Sequence, residues 1–373
     1  MHWPQTDVLV VGSGLAGLYA AIHCRRQGMG VTVCSKSKPG LGSCSTISQG
    51  IFRTSRDSFT PADHKQLTLE AGKGLNQEDR LDILVQNGDI DVARLQEFGV
   101  DLSKGSTGYG SRPEKIGKEG LCITKPLTEY ARSIGVDFRS PFFAWRIAAN
   151  EGRALGVWGW EPGRDQPIFL ASRCVILATG GAGALYARTD NPQGMTGDGY
   201  ALAFEAGVPL MDMEFVQFYP LCMGKSRTSR LLPPSLGEVG SLENVRGEDL
   251  VSKYGISARP VALAARDELC QAMAQEVASG RGFPEGGLRL RISRDDTVWE
   301  RVKESFGMES INDLRSWTEK HLEGNRSIPV MPAAHFTMGG LVPEGGCSTS
   351  LNGLFAAGEV VGGLHGANRY GGN

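Results

Sequence analysis

The sequence predicts an α/β fold that opens on a parallel βαβ unit. Three observations carry that prediction. A continuous apolar run, residues 8–11, begins almost at the N-terminus and reads as a buried strand. It feeds at once into Gly12-Ser13-Gly14-Leu15-Ala16-Gly17, and a helical stretch, residues 18–26, follows. Residues 31–34, Val-Thr-Val-Cys, then close the unit as a second strand.

Each glycine has its own task in this arrangement, which is of the Rossmann type. Gly12 permits the tight turn, Gly14 lets a pyrophosphate approach the backbone, and Gly17 lets the helix pack on the strand. The N-terminus of the helix that follows meets the phosphates with free N–H groups and a partial positive charge, and Leu15 and Ala16 in the turn are expected on the cofactor. The second strand ends at Cys34-Ser35-Lys36 where a carboxylate is common. Ser35 can still hydrogen-bond a ribose hydroxyl, and Lys36 can reach a phosphate. No arginine stands there, so selection for a 2′-phosphate is not indicated.

Composition narrows the function classes. The chain has 373 residues, of which 40% are hydrophobic and 21% charged, enough for one large or two ordinary domains with a real core. A formal net charge of -2 leaves no electrostatic footprint for nucleic acid. The 51 glycines fall in turns rather than in repeats. No apolar run approaches the roughly 18 residues of a membrane span, and nothing before residue 7 resembles a signal peptide. A cytoplasmic protein is expected. None of the eight cysteines forms a C-x-x-C pair, so no zinc or iron–sulfur site is expected and they read as reduced fillers. Cys44 stands apart, because it falls in a loop that could touch a cofactor.

Downstream, Leu81, Leu84, Val85, Val92, Leu95 and Phe98 keep helical spacing and predict one or two core helices. Residues 142–149, 154–160 and 167–177 read as a β-meander whose last strand runs into Ala178-Thr179-Gly180-Gly181, a turn back under the dinucleotide. Thr196-Gly197-Asp198-Gly199 then opens a helix over residues 200–206.

Taken together, these stretches resemble the flavoprotein subunits of succinate dehydrogenase and fumarate reductase, together with L-aspartate oxidase. The similarity runs through residues 8–17, 178–183, 196–207, 212–220, 265–267, 332–340 and 353–373 in the family's order. PAAHFTMGGL and GLFAAGEVVGGLHGANRYGGN are its most specific segments. The resemblance implies an FAD-binding domain over residues 1–216 and 330–373, with an inserted α+β capping domain over 217–329. It implies that Ser43, Ser45, Thr46, Gln49 and Gly50 contact the flavin, with Thr179, Gly180 and Asp198 also on the cofactor. Glu359 would take the adenosine ribose. The family's chemistry is hydride transfer between a flavin and a carbon next to a carboxylate. Arg266 would then be an acid–base arginine, His335 a substrate hydrogen-bonder, and Arg369 a bidentate carboxylate clamp that also meets the cofactor. An electron-transfer subunit, possible in this family, would tie the protein to a membrane indirectly.

Departures from the pattern bear on the substrate. The family's Q-F-H-P reads Gln217-Phe218-Tyr219-Pro220, so a cationic substrate residue becomes Tyr219. The threonine, glutamate and arginine of T-E-x-x-R-G-E fall on Leu232, Pro233 and Leu236 if Gly237-Glu238 is the G-E; Arg246-Gly247-Glu248 is the alternative. No histidine lies in residues 43–50, so non-covalent FAD is expected, as in L-aspartate oxidase. The sequence stops at Gly371-Gly372-Asn373, where the family continues with a helix and a helical domain. A fragment, or a subunit completed by another chain, is therefore expected.

Overall fold

The computed structural model describes residues 6–56, 59–105, 107–113, 117–223, 229–306, 308 and 311–373. Contacts divide the chain into two compact units. The first comprises Met1–Leu185, Pro192–Val216 and Phe336–Asn373; the second comprises Tyr186–Asn191 and Gln217–His335.

The first unit is organised by five parallel strands. Their order is Asp137–Arg139, Val31–Cys34, Thr6–Val11, Ile168–Leu177 and Leu354–Ala356. Thr6–Val11 is central and buried along its last four residues, as expected of a parallel strand covered on both faces. Leu9 and Val10 have no exposed surface, and burying such a side chain contributes about 1.5–3 kcal/mol. The helix Leu15–Arg26 packs Leu18, Ala21 and Ile22 against this strand and places His23, Arg25 and Arg26 in its last turn, where the helix dipole favours cations.

The meander is present. Phe143–Asn150 pairs antiparallel with Arg153–Trp160, which pairs with the first half of Ile168–Leu177. The second half of that long strand turns parallel to Thr6–Val11 and Leu354–Ala356. One strand thus joins the antiparallel edge to the nucleotide-binding core. The predicted middle helix is a single one, Glu78–Glu97, burying Leu81, Val85, Val92 and Leu95.

The second unit holds a five-stranded sheet ordered Arg230–Leu231, Val216–Met223, Ser327–Thr337, Leu288–Ile292 and Gly240–Glu243. The helices Arg266–Ala278, Asp296–Ser305 and Asn312–Glu319 bury Leu269, Met273, Trp299, Val302 and Leu314 in its core. The unit extends past residue 329 to His335, because Ser327–Thr337 is a central strand of this sheet. Tyr186–Asn191 also belongs to it, through the bridge of Thr189 to Ala334. Among the described residues, no helix is long and apolar enough to cross a membrane.

Candidate functional site

A cavity of about 720 Å³ lies at the C-terminal ends of the parallel strands in the first unit, in the size range of cofactor pockets. The glycine turn forms its floor. Gly12 has φ +114, and a Cβ there would stand 2.1 Å from the Ala178 carbonyl oxygen. A Cβ on Gly17 would fall 2.0 Å from the Gly12 oxygen, so this position serves helix packing and does not line the cavity. The helix Leu15–Arg26 begins at Gly14 with no side-chain cap. Since the cap residue itself offers no acceptor, the first-turn N–H groups, apart from Leu15 N–H, which Ser45 Oγ takes, form an anion-binding end. A Cβ on Gly14 would crowd Ser45 Oγ at 3.3 Å and the Ser43 side chain, closing the approach to those N–H groups.

The predicted residues Gly12, Gly14, Leu15, Ala16, Ser35, Lys36, Ser43, Ser45, Thr179, Gly180, Asp198 and Glu359 all line this cavity. Leu15 N–H donates to Ser45 Oγ at 3.1 Å, which fixes the 43–45 loop to the helix start. Lys36 Nζ reaches across to the loop before the helix Asp198–Glu205. It donates to the Gly194 carbonyl and to Thr196 Oγ1 (3.0 Å), and pairs with Asp198 Oδ2 (2.7 Å). The phosphate role expected of Lys36 is thus met, in this structure, by a carboxylate.

Besides Gly17, four predicted cofactor contacts do not line the cavity. Thr46 turns inward, donating to the Gly40 carbonyl at 2.9 Å and sharing a bond with Ser43 Oγ. Gly50 packs on Ser111, whose Oγ would lie 2.1 Å from a Cβ there, and Gln49 is half-buried beside it. Arg369 stacks on the Phe336 ring at 4.4 Å and donates to the Asn373 carbonyl at 3.3 Å. Glu359 lines the cavity but not where it was expected. Its Oε1 accepts from Thr337 N–H at 3.0 Å, next to the end of Leu354–Ala356. Ser35 closes Val31–Cys34, three strands away in the sheet order, a span of about 14 Å at 4.7–4.9 Å per strand. The ribose end belongs to the second strand of the unit, so Glu359 is assigned to the middle of the cavity instead.

Sequence reading missed several lining residues: Phe142, Ala144, Gly194, Met195 and Ala357. Cys44, singled out in the sequence, also lines the cavity.

The second unit gathers Arg266, Tyr219 and His335. Arg266 opens the helix Arg266–Ala278, yet it is only 4% exposed. Its guanidinium lies 5.7 Å from the Tyr219 ring centroid. Its Nε and Nη1 are buried with no hydrogen-bond partner among the described residues. Burial lowers the Arg266 pKa, the expected direction for a desolvated cation. Two of its neighbours are uncharged near pH 7, since burial pushes Tyr219 well up and Cys270 up to about 12, while the carboxylates of Asp267 and Asp190 act on it as opposite charges.

Tyr219 corrects a prediction. It is 2% exposed and its hydroxyl donates to the Leu232 carbonyl at 2.9 Å. Its one proton is already committed inside the sheet, so it is not a substrate hydrogen-bond donor. Leu232 and Leu236 have no exposed surface and belong to the core. Glu238 accepts from Val261 N–H at 2.6 Å. Glu248 instead sits in a turn with Asn244 and Lys253.

His335 lies on Ser327–Thr337 with its ring 5.7 Å from Tyr219. Its Nδ1 is 2.6 Å from Asp190 Oδ2, and Asp190 is 4% exposed. Sequence reading missed Asp190. The only signal was an acidic residue beside Asn191-Pro192, just ahead of Thr196-Gly197-Asp198-Gly199.

Comparison with known proteins follows the same lines. The family described as "FAD binding domain" matches residues 7–373. The chain is 32% identical to a fumarate reductase (CoM/CoB) subunit of Methanothermobacter marburgensis, over 99% of this chain and 69% of that protein. It is 31% identical to an L-aspartate oxidase of Synechocystis sp., over 99% of this chain and 68% of that one. Among solved structures, the quinol fumarate reductase of E. coli superposes with a TM-score of 0.85 at 26% identity, covering 100% of this chain and 68% of that one.

Proposed function

The chain belongs to the FAD binding domain family and is an FAD-dependent oxidoreductase of that family, and from this premise we propose that it oxidises or reduces a small carboxylate. The observation that carries the reading is Arg266. A guanidinium buried without acceptors is costly unless an anion completes it. A carboxylate matches its planar fork. The relatives' names point the same way, to fumarate and L-aspartate.

The residues present fit FAD. An uncapped helix start, a floor that admits no Cβ at Gly12, and hydroxyls of Ser35, Ser43 and Ser45 supply what a dinucleotide needs. We assign Ser35 to the ribose, the Gly12–Ala16 turn to the pyrophosphate, and Glu359 to the central part of the cofactor. When bound, FAD supplies the hydride acceptor or donor. In the second unit Arg266 binds the carboxylate and is assigned the proton transfer, which requires a dry setting because arginine otherwise keeps its proton. His335 hydrogen-bonds the same anion. Arg369, stacked on Phe336, remains a proposed carboxylate clamp. FAD is non-covalent in this reading, since no histidine lies in residues 43–50. The eight free cysteines suit a cytoplasmic, reducing setting, and an electron-transfer subunit is the proposed protein partner.

Tyr219, Leu232 and Leu236 favour a second reading within the same chemistry, a carboxylate other than a four-carbon dicarboxylate. One experiment tests both. The FAD-loaded protein is titrated anaerobically with succinate and L-aspartate, and after reduction with fumarate, while the flavin spectrum is followed. Bleaching or reoxidation by any of them supports the proposal. A spectrum unmoved by all three and by a panel of small monocarboxylates overturns it.

A further inference from the structure

We propose that Asp190 is a positioning residue that holds His335 as a protonated imidazolium donating through Nε2, and thereby sets the charge with which the second unit receives a carboxylate. The inference rests on the reading of this unit as a carboxylate site.

The contact is built in. Asp190 Oδ2 meets His335 Nδ1 at 2.6 Å, and Asp190 Oδ1 accepts from Asn191 Nδ2 at 2.8 Å. The two backbones are stitched together around this pair. Thr189 Oγ1 donates to the Ala334 carbonyl at 2.9 Å, and Asp190 N–H donates to the same oxygen at 3.2 Å. Asn191 Nδ2 also donates to the His335 carbonyl at 2.9 Å. These bonds hold the two backbones at a separation at which the Asp190 and His335 side chains meet. Because Asp190 takes Nδ1, any hydrogen bond from His335 to a ligand must come from Nε2.

Charge decides the protonation state. The groups facing His335 are Asp190 on the Tyr186–Asn191 segment and Tyr219 on Val216–Met223. Around Tyr219 stand Arg266 on the helix Arg266–Ala278, with Cys222 and Cys270, and Asp267 adds a carboxylate beside Arg266. Tyr219, Cys222 and Cys270 are neutral near pH 7, since burial pushes each of them up. With a neutral ring, Asp190 and Asp267 outweigh Arg266 and the cluster would repel an anion. With a protonated ring the two cations balance the two carboxylates. Asp190 is 4% exposed, and a buried carboxylate favours a cation at hydrogen-bond distance.

The test needs no turnover. Imidazole nitrogens are followed by NMR from pH 5 to 9 in FAD-loaded, ¹⁵N-histidine-labelled protein, with His335→Gln giving the assignment. Asp190→Asn should lower the His335 titration midpoint by about one pH unit or more. It should also abolish the fixed Nδ1–H tautomer in the neutral ring, and Asp190→Glu should restore part of both. Carboxylate binding, read from the flavin spectrum, should weaken about tenfold or more in Asp190→Asn. Should Asp190→Asn not fold, Asp190→Glu carries the test, with a smaller midpoint shift of the same sign. An unchanged midpoint and tautomer in the folded variant would overturn the inference. If the NMR effects appear while no carboxylate perturbs the wild-type flavin, the dyad stands and the proposed function fails.

Discussion

Arg266 and Tyr219 lie 5.7 Å apart, guanidinium to ring, and differ in what they have left to give. Arg266 has two buried nitrogens without partners among the described residues; Tyr219 has spent its proton on Leu232. Arg266→Gln should therefore abolish turnover while leaving FAD bound in the other unit. Arg266→Lys should be severely impaired as well, since a point charge cannot replace a fork. Steady-state rates with flavin content measured in parallel check this, and near-normal rates in both variants would reduce Arg266 to a structural cation. Tyr219→Phe should behave oppositely. It removes the donor to the Leu232 carbonyl and should cost about 1–3 kcal/mol of stability with little change in rate. A large fall in kcat with unchanged denaturation would show that the hydroxyl reaches the substrate after all. Neither distinction was legible in the sequence. Tyr219 was found there by its place in a motif, but its partner is 13 residues on and defined only by sheet pairing. His335 and Asp190 are 145 positions apart, and no local spacing could have joined them.

At the scale of elements, the strand–turn–helix that cradles the cofactor was legible because its rules are local. An apolar run, a glycine at positive φ and an uncapped helix start act within a dozen residues of one another. The meander was legible for the same reason. The far wall of the cavity was not, because Gly194 and Met195 arrive from a loop that carries no periodic signal, and Phe142, read as the first residue of a strand, stands just ahead of Phe143–Asn150. Thr46 and Gly50 misled for a related reason. They sit in the right loop, but its short helix, Cys44–Ile47, turns them inward. The turn itself supports a sharp prediction. Gly12→Ala places a methyl where Ala178 oxygen already stands, at a φ that L-residues rarely adopt, so FAD affinity should fall at least a hundredfold. Flavin fluorescence on titration measures it. Wild-type affinity would mean that the turn relaxes without loss.

For the molecule as a whole, acid is the informative perturbation. His365 is 5% exposed beside Phe336, and its pKa is held down to about 3, first by burial and then by the Arg369 charge. Burial also lowers His64, with the Arg53 charge adding to it and the bond to Asn373 opposing it. An unfolded histidine titrates near 6.5. Between that value and the depressed folded one, the unfolded chain binds more protons, so stability rises with pH in this window and is lost as pH falls through it. Each such group contributes a slope of about 1.4 kcal/mol per pH unit there. Melting temperature should thus be flat above pH 7 and decline steadily from about pH 6.5 toward 4, with His365→Gln giving a shallower decline. Cofactor binding superimposes a second effect, because FAD binds the folded cradle and not the unfolded chain. Saturation at a hundredfold excess over Kd adds about 2.7 kcal/mol, and the increment should grow with FAD concentration. Both effects end together on acid denaturation. With no histidine in residues 43–50 to carry a covalent link, the yellow chromophore should pass entirely into the supernatant when the protein is precipitated, and colour retained in the washed pellet would contradict the proposed non-covalent binding.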